Sequence, residues 1–384
     1  MFKKSLIAVA VLGATAFSVQ AADVTMYGKV DTGLQYQSNE ITILDQTVVD
    51  TDSFTMENGL NSASRFGVKG SEDLGNGMKV SFQLENGFKA DSGEFKTSGK
   101  LFDRQATVAL SSDFGTLTMG RVGGIGSGAG FDLVYGYADA FDGGSGSVLG
   151  LAKSDRYDNM ITYQTPKFAG MQATVQYSFN ESSTDKDREG SSAVNRYASA
   201  GLTGSFGALN TVLAYEFQNY QSFGTDVNPS VEDGHTVYLG GNYDFGVTRL
   251  FAMAQYFKGL SATQLTAIAD ETRAETADNM WSDGAKGYGL HLGTVTPVFG
   301  GNFTAGLYFV DAKFQNGANA ANQNDADLSY YGAALRYGYP LSKRTTVYTG
   351  VGYGVSRLEF NNNGQDVEAK NQVGQAYLGL THMF

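Results

Sequence analysis

The residues that could support catalysis in this 384-residue chain are few and scattered. There is no cysteine, and the three histidines, His235, His291 and His382, lie in separate segments. A hydrolase needs a serine or similar nucleophile beside a histidine with an orienting partner, and no local pattern of that kind is present. Residues 124–129 resemble a loose dinucleotide fingerprint but lack a following helix pattern and a suitably spaced acidic residue. The sequence therefore predicts neither an enzyme nor a bound cofactor or metal.

The composition points to many long, paired strands. Glycine supplies 50 residues and aromatic residues make up 12% of the chain, whereas proline supplies only 4. This balance suits β-ladders, because proline removes a ladder hydrogen bond. Past the N-terminus, no apolar run approaches the ~20 residues that a membrane helix needs. The formal net charge of −12 argues against a nucleic-acid partner, which requires a cationic surface.

The first 21 residues have the organisation of a secretory signal peptide. Lys3 and Lys4 precede an apolar stretch over residues 6–17, and a small-residue cleavage site ends at Ala21. Cleavage there leaves residues 22–384 and changes the formal charge from −12 to −14, because two lysines are lost. An exported chain of this kind is either a secreted globule or a membrane β-barrel. The absence of cysteine favours the barrel, since secreted domains often carry disulfides.

From Asp23 onward, apolar and polar residues alternate, which indicates β-strands. Residues 171–180 alternate throughout, and segments 79–86, 236–245 and 303–309 repeat the pattern. These segments run for about 9–14 residues, the length of a tilted transmembrane strand. A soluble β-sandwich also alternates, but its strands are typically ~5–6 residues long. Strand length therefore favours the membrane barrel.

The connections between these segments are of two kinds. The long ones are polar, as over residues 181–195, 259–285 and 316–327. The short ones are built from turn residues and lie at 72–77, 113–115, 166–170, 206–207, 245–246, 297–300 and 340–343. Eight long loops and seven short turns predict sixteen strands, and bacterial barrels have an even strand number with short turns on one side.

Five of the short turns carry a phenylalanine next to a glycine or one residue away from it. An aromatic residue at the same rim of successive hairpins is typical of an interfacial girdle. The residues are Phe114, Phe168, Phe206, Phe245 and Phe299.

Several segments, in order, resemble the Gram-negative general porins, the non-specific diffusion channels of the outer membrane. Residues 26–31 (MYGKVD) are similar to their first strand, and residues 64–77 (SRFGVKGSEDLGNG) to their second strand and first turn. Residues 114–121 (FGTLTMGR) are similar to the entry of their third loop, and the chain ends on Phe384. The resemblance covers essentially the whole mature chain. It implies an all-β fold, a transmembrane antiparallel 16-stranded β-barrel with an inward-folded third loop, in the cell outer membrane.

The resemblance also implies a pore constriction, since the third loop narrows the channel in this family. Residues 123–153 match the constriction loop. Asp139 and Asp142 match its acidic tip, and Asp132 is a further candidate for the acidic side. The terminal aromatic, Phe384, resembles the assembly signal that the barrel-assembly machinery reads.

The basic side of the constriction carries over onto Lys29, Arg65, Arg104 and Arg156. Strand alternation agrees with an inward position for three of them; Arg156, for example, alternates with an outward Tyr157. Arg104 shares the parity of apolar Val108, so a bulge near Gln105 or packing under the third loop is needed to turn it inward.

Opposed charges across a narrow waist orient dipolar solutes and bias ion selectivity. We therefore expect a passive diffusion channel for small hydrophilic solutes and ions, with a weak preference for cations and no catalysis. The resemblance implies a homotrimer, with the lipid bilayer, lipopolysaccharide and the barrel-assembly machinery as partners. Three alternatives stay open: a substrate-specific porin for a sugar or an anion, an adhesin or phage receptor acting through the outer loops, and charges that only hold the loop in place.

Overall fold

The computed structural model describes residues 23–127, 130–141, 151–179, 195–220, 232–265, 281, 283–315, 325–362 and 364–384. The predicted signal peptide, residues 1–21, lies outside the described residues. Within them, no helix is both long enough and apolar enough to cross a membrane. The alternating segments are antiparallel strands joined in one continuous sheet.

Seventeen strands form this sheet. In chain order they are β1 (Asp23–Ile43), β2 (Gln46–Asn58), β3 (Arg65–Gly75), β4 (Met78–Gly87), β5 (Gln105–Ser112), β6 (Gly115–Gly123), β7 (Arg156–Gln164), β8 (Met171–Ser178), β9 (Arg196–Phe206), β10 (Leu209–Asn219), β11 (Gly234–Asp244), β12 (Arg249–Leu260), β13 (Ala285–Val298), β14 (Gly301–Phe314), β15 (Ala326–Pro340), β16 (Thr345–Asn362) and β17 (Gln365–Met383). From β3 onward each strand pairs with the next, and β17 pairs with β1 to close the barrel.

β2 and β3 together occupy a single strand position in the barrel wall, next to β1. β2 pairs with residues 32–43 of β1, and β3 pairs with residues 23–29 along the same edge. The wall therefore has sixteen positions around its circumference. This confirms the predicted antiparallel 16-stranded barrel.

The seven predicted short turns all connect consecutive strands, as between β5 and β6 or β13 and β14. Because the strands are antiparallel, these turns lie together at one end of the barrel, here called the turn end; the opposite end is the loop end. The five phenylalanines of the predicted girdle are all exposed at the turn end, and Phe299 reaches 90% exposure. The girdle prediction is confirmed in its position.

The two faces of the wall differ as the alternation predicts. On β8, Val175 is exposed outward, whereas Thr174 and Gln176 are buried on the inner face. On β14, Leu307 is exposed outward and Tyr308 is buried inside. An outer surface of exposed apolar residues is what a lipid-facing barrel requires.

Besides a small apolar cluster of Val122, Tyr157, Met160 and Tyr197 on β6, β7 and β9, the described interior contains one large apolar core. The loop segments that contribute to it include residues 131–141, residues 260–265 and Trp281. They pack against inward-facing residues of β10–β15, namely Val212, Ala214, Tyr238, Phe251, Met253, Phe257, Tyr308, Val310, Ala312, Phe314, Leu328 and Tyr330. The large core therefore occupies the side of the interior next to β10–β15.

Candidate functional site

The segment that follows β6 packs against the inner wall and includes one short helix, α1 (Tyr135–Ala138). The backbone N–H of Gly126 donates to the Glu216 carboxylate at 2.8 Å, and the Asn242 side-chain amide donates to the carbonyl of Tyr137 at 2.7 Å. Glu216 and Asn242 lie on the inner faces of β10 and β11. The contacts fasten this segment to the wall through buried hydrogen bonds.

Asp139 also takes part in the contacts between this segment and the wall. Its side chain has no exposed surface, and its Oδ1 accepts hydrogen bonds from the Tyr308 hydroxyl at 2.9 Å and the Phe141 N–H at 3.1 Å. The Nε2 of His291 lies 3.3 Å from the same oxygen. The expectation that Asp139 presents a charge to the pore is therefore corrected: its carboxylate is covered by the loop and the wall.

The other two acidic candidates differ from Asp139. Asp132 is half-buried and accepts the N–H of Gly136 at 3.2 Å, within the turn that leads into α1. Asp142 lies outside the described residues.

Tyr135 of α1 is buried close to Asp139. Burial and then the charge of Asp139 raise the pKa of the Tyr135 hydroxyl well above its ordinary value, so the hydroxyl stays protonated and donates to the carbonyl of Ala152 at 2.7 Å.

On the opposite wall, two predicted basic residues lie side by side. Lys29 of β1 is directly paired with Arg65 of β3, on the inner face. The guanidinium of Arg65 lies 3.7 Å from the carboxylate of Glu85 on β4. Glu85 also accepts the Tyr27 hydroxyl at 2.9 Å, so it connects β1, β3 and β4. The structure thus brings Lys29 and Arg65 together beside one buried carboxylate.

Arg104 reaches the same carboxylate. Its Nε lies 2.6 Å from Glu85 Oε1, and its side chain is only 8% exposed. The predicted parity conflict disappears because β5 begins at Gln105, so Arg104 precedes the strand and its alternation does not apply. Arg104 therefore shares the Glu85 carboxylate with Arg65 and is part of the same basic cluster as Lys29 and Arg65.

Arg156 begins β7, and its backbone N–H donates to the carboxylate of Asp155 at 2.7 Å. Its predicted strand face is wrong, because Tyr157 is not outward: its ring is 3% exposed and stacks on inward-facing Tyr197 at 4.1 Å. The cause is local, since Asn159 has a φ of 53° and the pairing of β6 with β7 shifts register there. Alternation cannot be carried across such an irregularity.

Sequence reasoning missed a further basic residue at this site, Arg121. Its Nε donates to the carbonyl of Asp103 at 2.7 Å, and its guanidinium forms an ion pair with Asp158. Simple alternation would place Arg121 on the same outer face as lipid-facing Met119. The register shift between Gly120 and Val122 is what turns Arg121 away from that face. No sequence signal other than the glycine at this position could have indicated the shift.

A polar cavity of about 570 Å³ lies between residues 130–131 of the loop and the wall formed by β1 and β3–β6. Phe131 of the loop lines it, together with Lys69, Lys79, Gln83 and Thr107 of the wall. Groups of three or more acidic residues and histidines that could hold a metal ion are absent from the part of the chain that the structure describes. The cavity is a part of the barrel lumen that is lined by polar side chains and by charges of both signs, Lys69, Lys79 and Asp23.

Charges are unevenly accessible around this lumen. Four cations near its middle retain exposed surface: Lys29, Arg65 and Arg336 are partly exposed, and Lys69 is exposed, whereas Arg104 is buried. Five carboxylates at that level are buried, with at most 8% residue exposure: Asp31, Glu85, Asp139, Asp158 and Glu216; Asp132 of the loop is half-buried, and Asp155, next to Arg156, is exposed. The more exposed inward carboxylates of the strands lie nearer the two ends: Asp23, Asp73 and Asp244 toward the turn end, and Glu57 toward the loop end.

Comparison with known proteins agrees with this architecture. Residues 8–380 match the Gram-negative porin family model. An outer membrane porin protein of Bordetella pertussis is 35% identical over 380 residues, covering 90% of this chain and 92% of that protein. Outer membrane porin protein 32 of Delftia acidovorans is 31% identical, over 67% of this chain and 70% of its own length.

Among solved structures, the anion-selective porin from Comamonas acidovorans superposes with a TM-score of 0.61. The alignment covers 94% of this chain and all of that one, at 23% identity, so it supports the fold alone. The closed sixteen-position barrel, the polar lumen and the match along almost the whole sequence lead to one assignment. This chain belongs to the Gram-negative porin family and is a channel protein of the bacterial outer membrane.

Proposed function

We propose that this porin is a passive diffusion channel for small hydrophilic solutes and ions. The observation that carries the proposal is the lumen, in which a large apolar core occupies the side next to β10–β15 and polar and charged side chains line the cavity beside β1 and β3–β6. Water and polar solutes pass along the wall that carries Lys29 and Arg65, here called the basic wall. No chemical step is involved, since selectivity follows from pore width and lining charge.

Residues 123–153 form the constriction loop in this proposal. The support comes from the hydrogen bonds of Gly126, Tyr137 and Asp139 to inward-facing wall residues. Asp139 then acts as an anchor of the loop rather than as a lining charge.

For ion selectivity we propose a preference for anions. The weak cation preference expected from the sequence depended on Asp132, Asp139 and Asp142, of which Asp139 is covered. The accessible cations on the wall near the middle of the described lumen are Lys29, Arg65, Lys69 and Arg336, and the accessible loop carboxylates near them include Asp132 and Asp155. An ion passing within a Debye length, ~8–10 Å at physiological salt, feels such charges with little screening.

Reversal potentials across planar bilayers under a KCl gradient test this preference. We expect the wild-type channel to favour chloride, and the preference to weaken as salt rises. Replacing two of these lumen cations, Lys29→Gln with Arg65→Gln, should shift the reversal potential toward potassium. Lys286→Gln is the matched control, because Lys286 is an exposed cation on the outer face of β13. A potassium-selective wild-type channel, or equal shifts in both variants, would contradict the anion preference.

We also propose export through cleavage of residues 1–21 and assembly as a homotrimer in a bilayer that contains lipopolysaccharide. The charged, apolar and small-residue regions before Ala22 support the cleavage. N-terminal sequencing of protein purified from outer membranes should therefore read Ala22-Asp23-Val24. A protein that retains Lys3 and Lys4 would exclude cleavage after Ala21.

A further inference from the structure

The wall contains a four-residue insertion opposite β1. The N–H of Gly59 donates to the carbonyl of Asp31 at 3.0 Å, and Arg65 pairs with Lys29. Between these two pairings the chain covers two residues on β1, from Asp31 to Lys29. On the neighbouring strand it covers six, from Gly59 to Arg65. Residues 60–63 are the surplus, and we name them the inner insertion. A β-bulge commonly adds a single residue, so this interruption is large.

The inner insertion folds toward the lumen. The Nζ of Lys29 donates to the hydroxyl of Ser62 at 2.9 Å, and the side-chain amide of Asn61 donates to the hydroxyl of Thr381 at 3.3 Å. Lys29 and Thr381 are both on the inner face of the barrel. Leu60 lies against the inner side of Gly33, where an added Cβ would be 3.0 Å from its Cδ1. All three side chains therefore contact the inside of the wall.

A buried carboxylate fixes the insertion in place. Asp31 is fully buried, and its Oδ1 accepts the Tyr348 hydroxyl at 2.7 Å and the Asn61 N–H at 3.4 Å. At the far end of the insertion, the Ser64 hydroxyl accepts the N–H of Asp31 at 2.9 Å and donates to its carbonyl at 3.0 Å. Both ends are thus tied to one residue of β1, which leaves the segment little freedom.

The insertion contacts two cations of the basic wall. Ser62 accepts from the ammonium of Lys29, and the carbonyl of Ala63 accepts from the guanidinium of Arg65 at 3.2 Å. We infer that the inner insertion is a second element of the constriction, and that Ser62 is a positioning residue that directs the Lys29 charge into the ion path. The inference rests on the proposed anion preference and names a determinant of it.

The absence of cysteine makes Ser62→Cys a unique chemical handle. A methanethiosulfonate reagent transfers its charged alkylthio group to the Cys thiolate, forming a mixed disulfide and releasing methanesulfinate. If position 62 faces the ion path beside Lys29, the rate of the sulfonate-bearing reagent relative to that of the ammonium-bearing one should be about tenfold higher at position 62 than at position 342 at low salt. The attached sulfonate should then lower conductance and shift the reversal potential toward potassium. Ser342→Cys, in the exposed turn before β16, is the control that reacts without these effects.

Ser62→Ala provides a second test, since it removes the hydroxyl that holds Lys29 without adding bulk. We expect a folded, heat-modifiable barrel whose reversal potential moves partway toward that of Lys29→Gln. If wild type prefers anions while Ser62→Cys shows the same ratio of the two reagent rates as Ser342→Cys and an unchanged reversal potential, the insertion has no part in selectivity. If wild type shows no anion preference, it is the proposed selectivity itself that fails.

Discussion

Val108→Arg should destabilise the folded barrel by roughly 2–4 kcal/mol, the cost of placing arginine on the lipid face near the bilayer midplane. Val108 lies in the middle of β5 and is 42% exposed on the outer surface. In lipid, the guanidinium loses its hydration and has no compensating partner. Urea unfolding of the barrel in lipid vesicles, followed by tryptophan fluorescence of Trp281, measures the change.

The adjacent residue supplies a matched control on the same strand. Ala109 lines the polar cavity, so Ala109→Arg places its charge beside water and Thr118. It should cost far less than Val108→Arg, because lumen positions remain hydrated. A larger loss for Ala109→Arg would mean that β5 is displaced by one residue, since such a slip exchanges the two faces.

Deleting Phe384 should reduce the amount of folded barrel in outer membranes severalfold. Its backbone N–H and carbonyl exchange hydrogen bonds of 3.1 Å with Gly28, and its ring covers the outer side of that glycine. The residue therefore completes the seam between β17 and β1. Heat-modifiable migration on gels reports the folded fraction, and Phe384→Tyr should retain most of it.

Refolding the same deletion variant in detergent micelles separates two explanations. Loss of two backbone hydrogen bonds, each contributing ~0.5–1.5 kcal/mol, would lower stability in micelles and in cells alike. A signal read by the assembly machinery would lower the yield only in cells. Equal folded yields of wild type and deletion variant in cells would remove Phe384 from assembly altogether.

The strand count, the turns and the rim phenylalanines were predictable because each depends on neighbours in sequence. Alternation has a period of two residues, and turns use residues suited to tight backbone geometry. The same dependence on sequence neighbours explains why the outward position expected for Tyr157 is wrong. One residue with positive φ, Asn159, ends the alternation without leaving a pattern that differs from an ordinary strand.

The direction of loop side chains could not be predicted in this way. Asp139 looks like a solvated loop carboxylate in sequence, yet Tyr308, 169 residues away, buries it. The inner insertion is equally hidden, because residues 59–64 contain Gly, Asn and Ser and look like an ordinary turn. Only the pairing of Gly59 and Arg65 with the same strand shows that the chain leaves the wall and returns to it.

The seam between β1 and β17 also governs the kinetics of folding. It joins positions that are far apart in the chain, as where Thr381 meets Asp31 across a separation of 350 residues. Contacts of such sequence separation form slowly, because the loop-closure entropy is lost before they are made. Until they form, β1 and β17 each expose an unsatisfied strand edge that can pair with another chain. We therefore expect aggregation to compete with folding mainly between synthesis and barrel closure, and much less once the barrel is closed. A holding chaperone should have its largest effect during that interval.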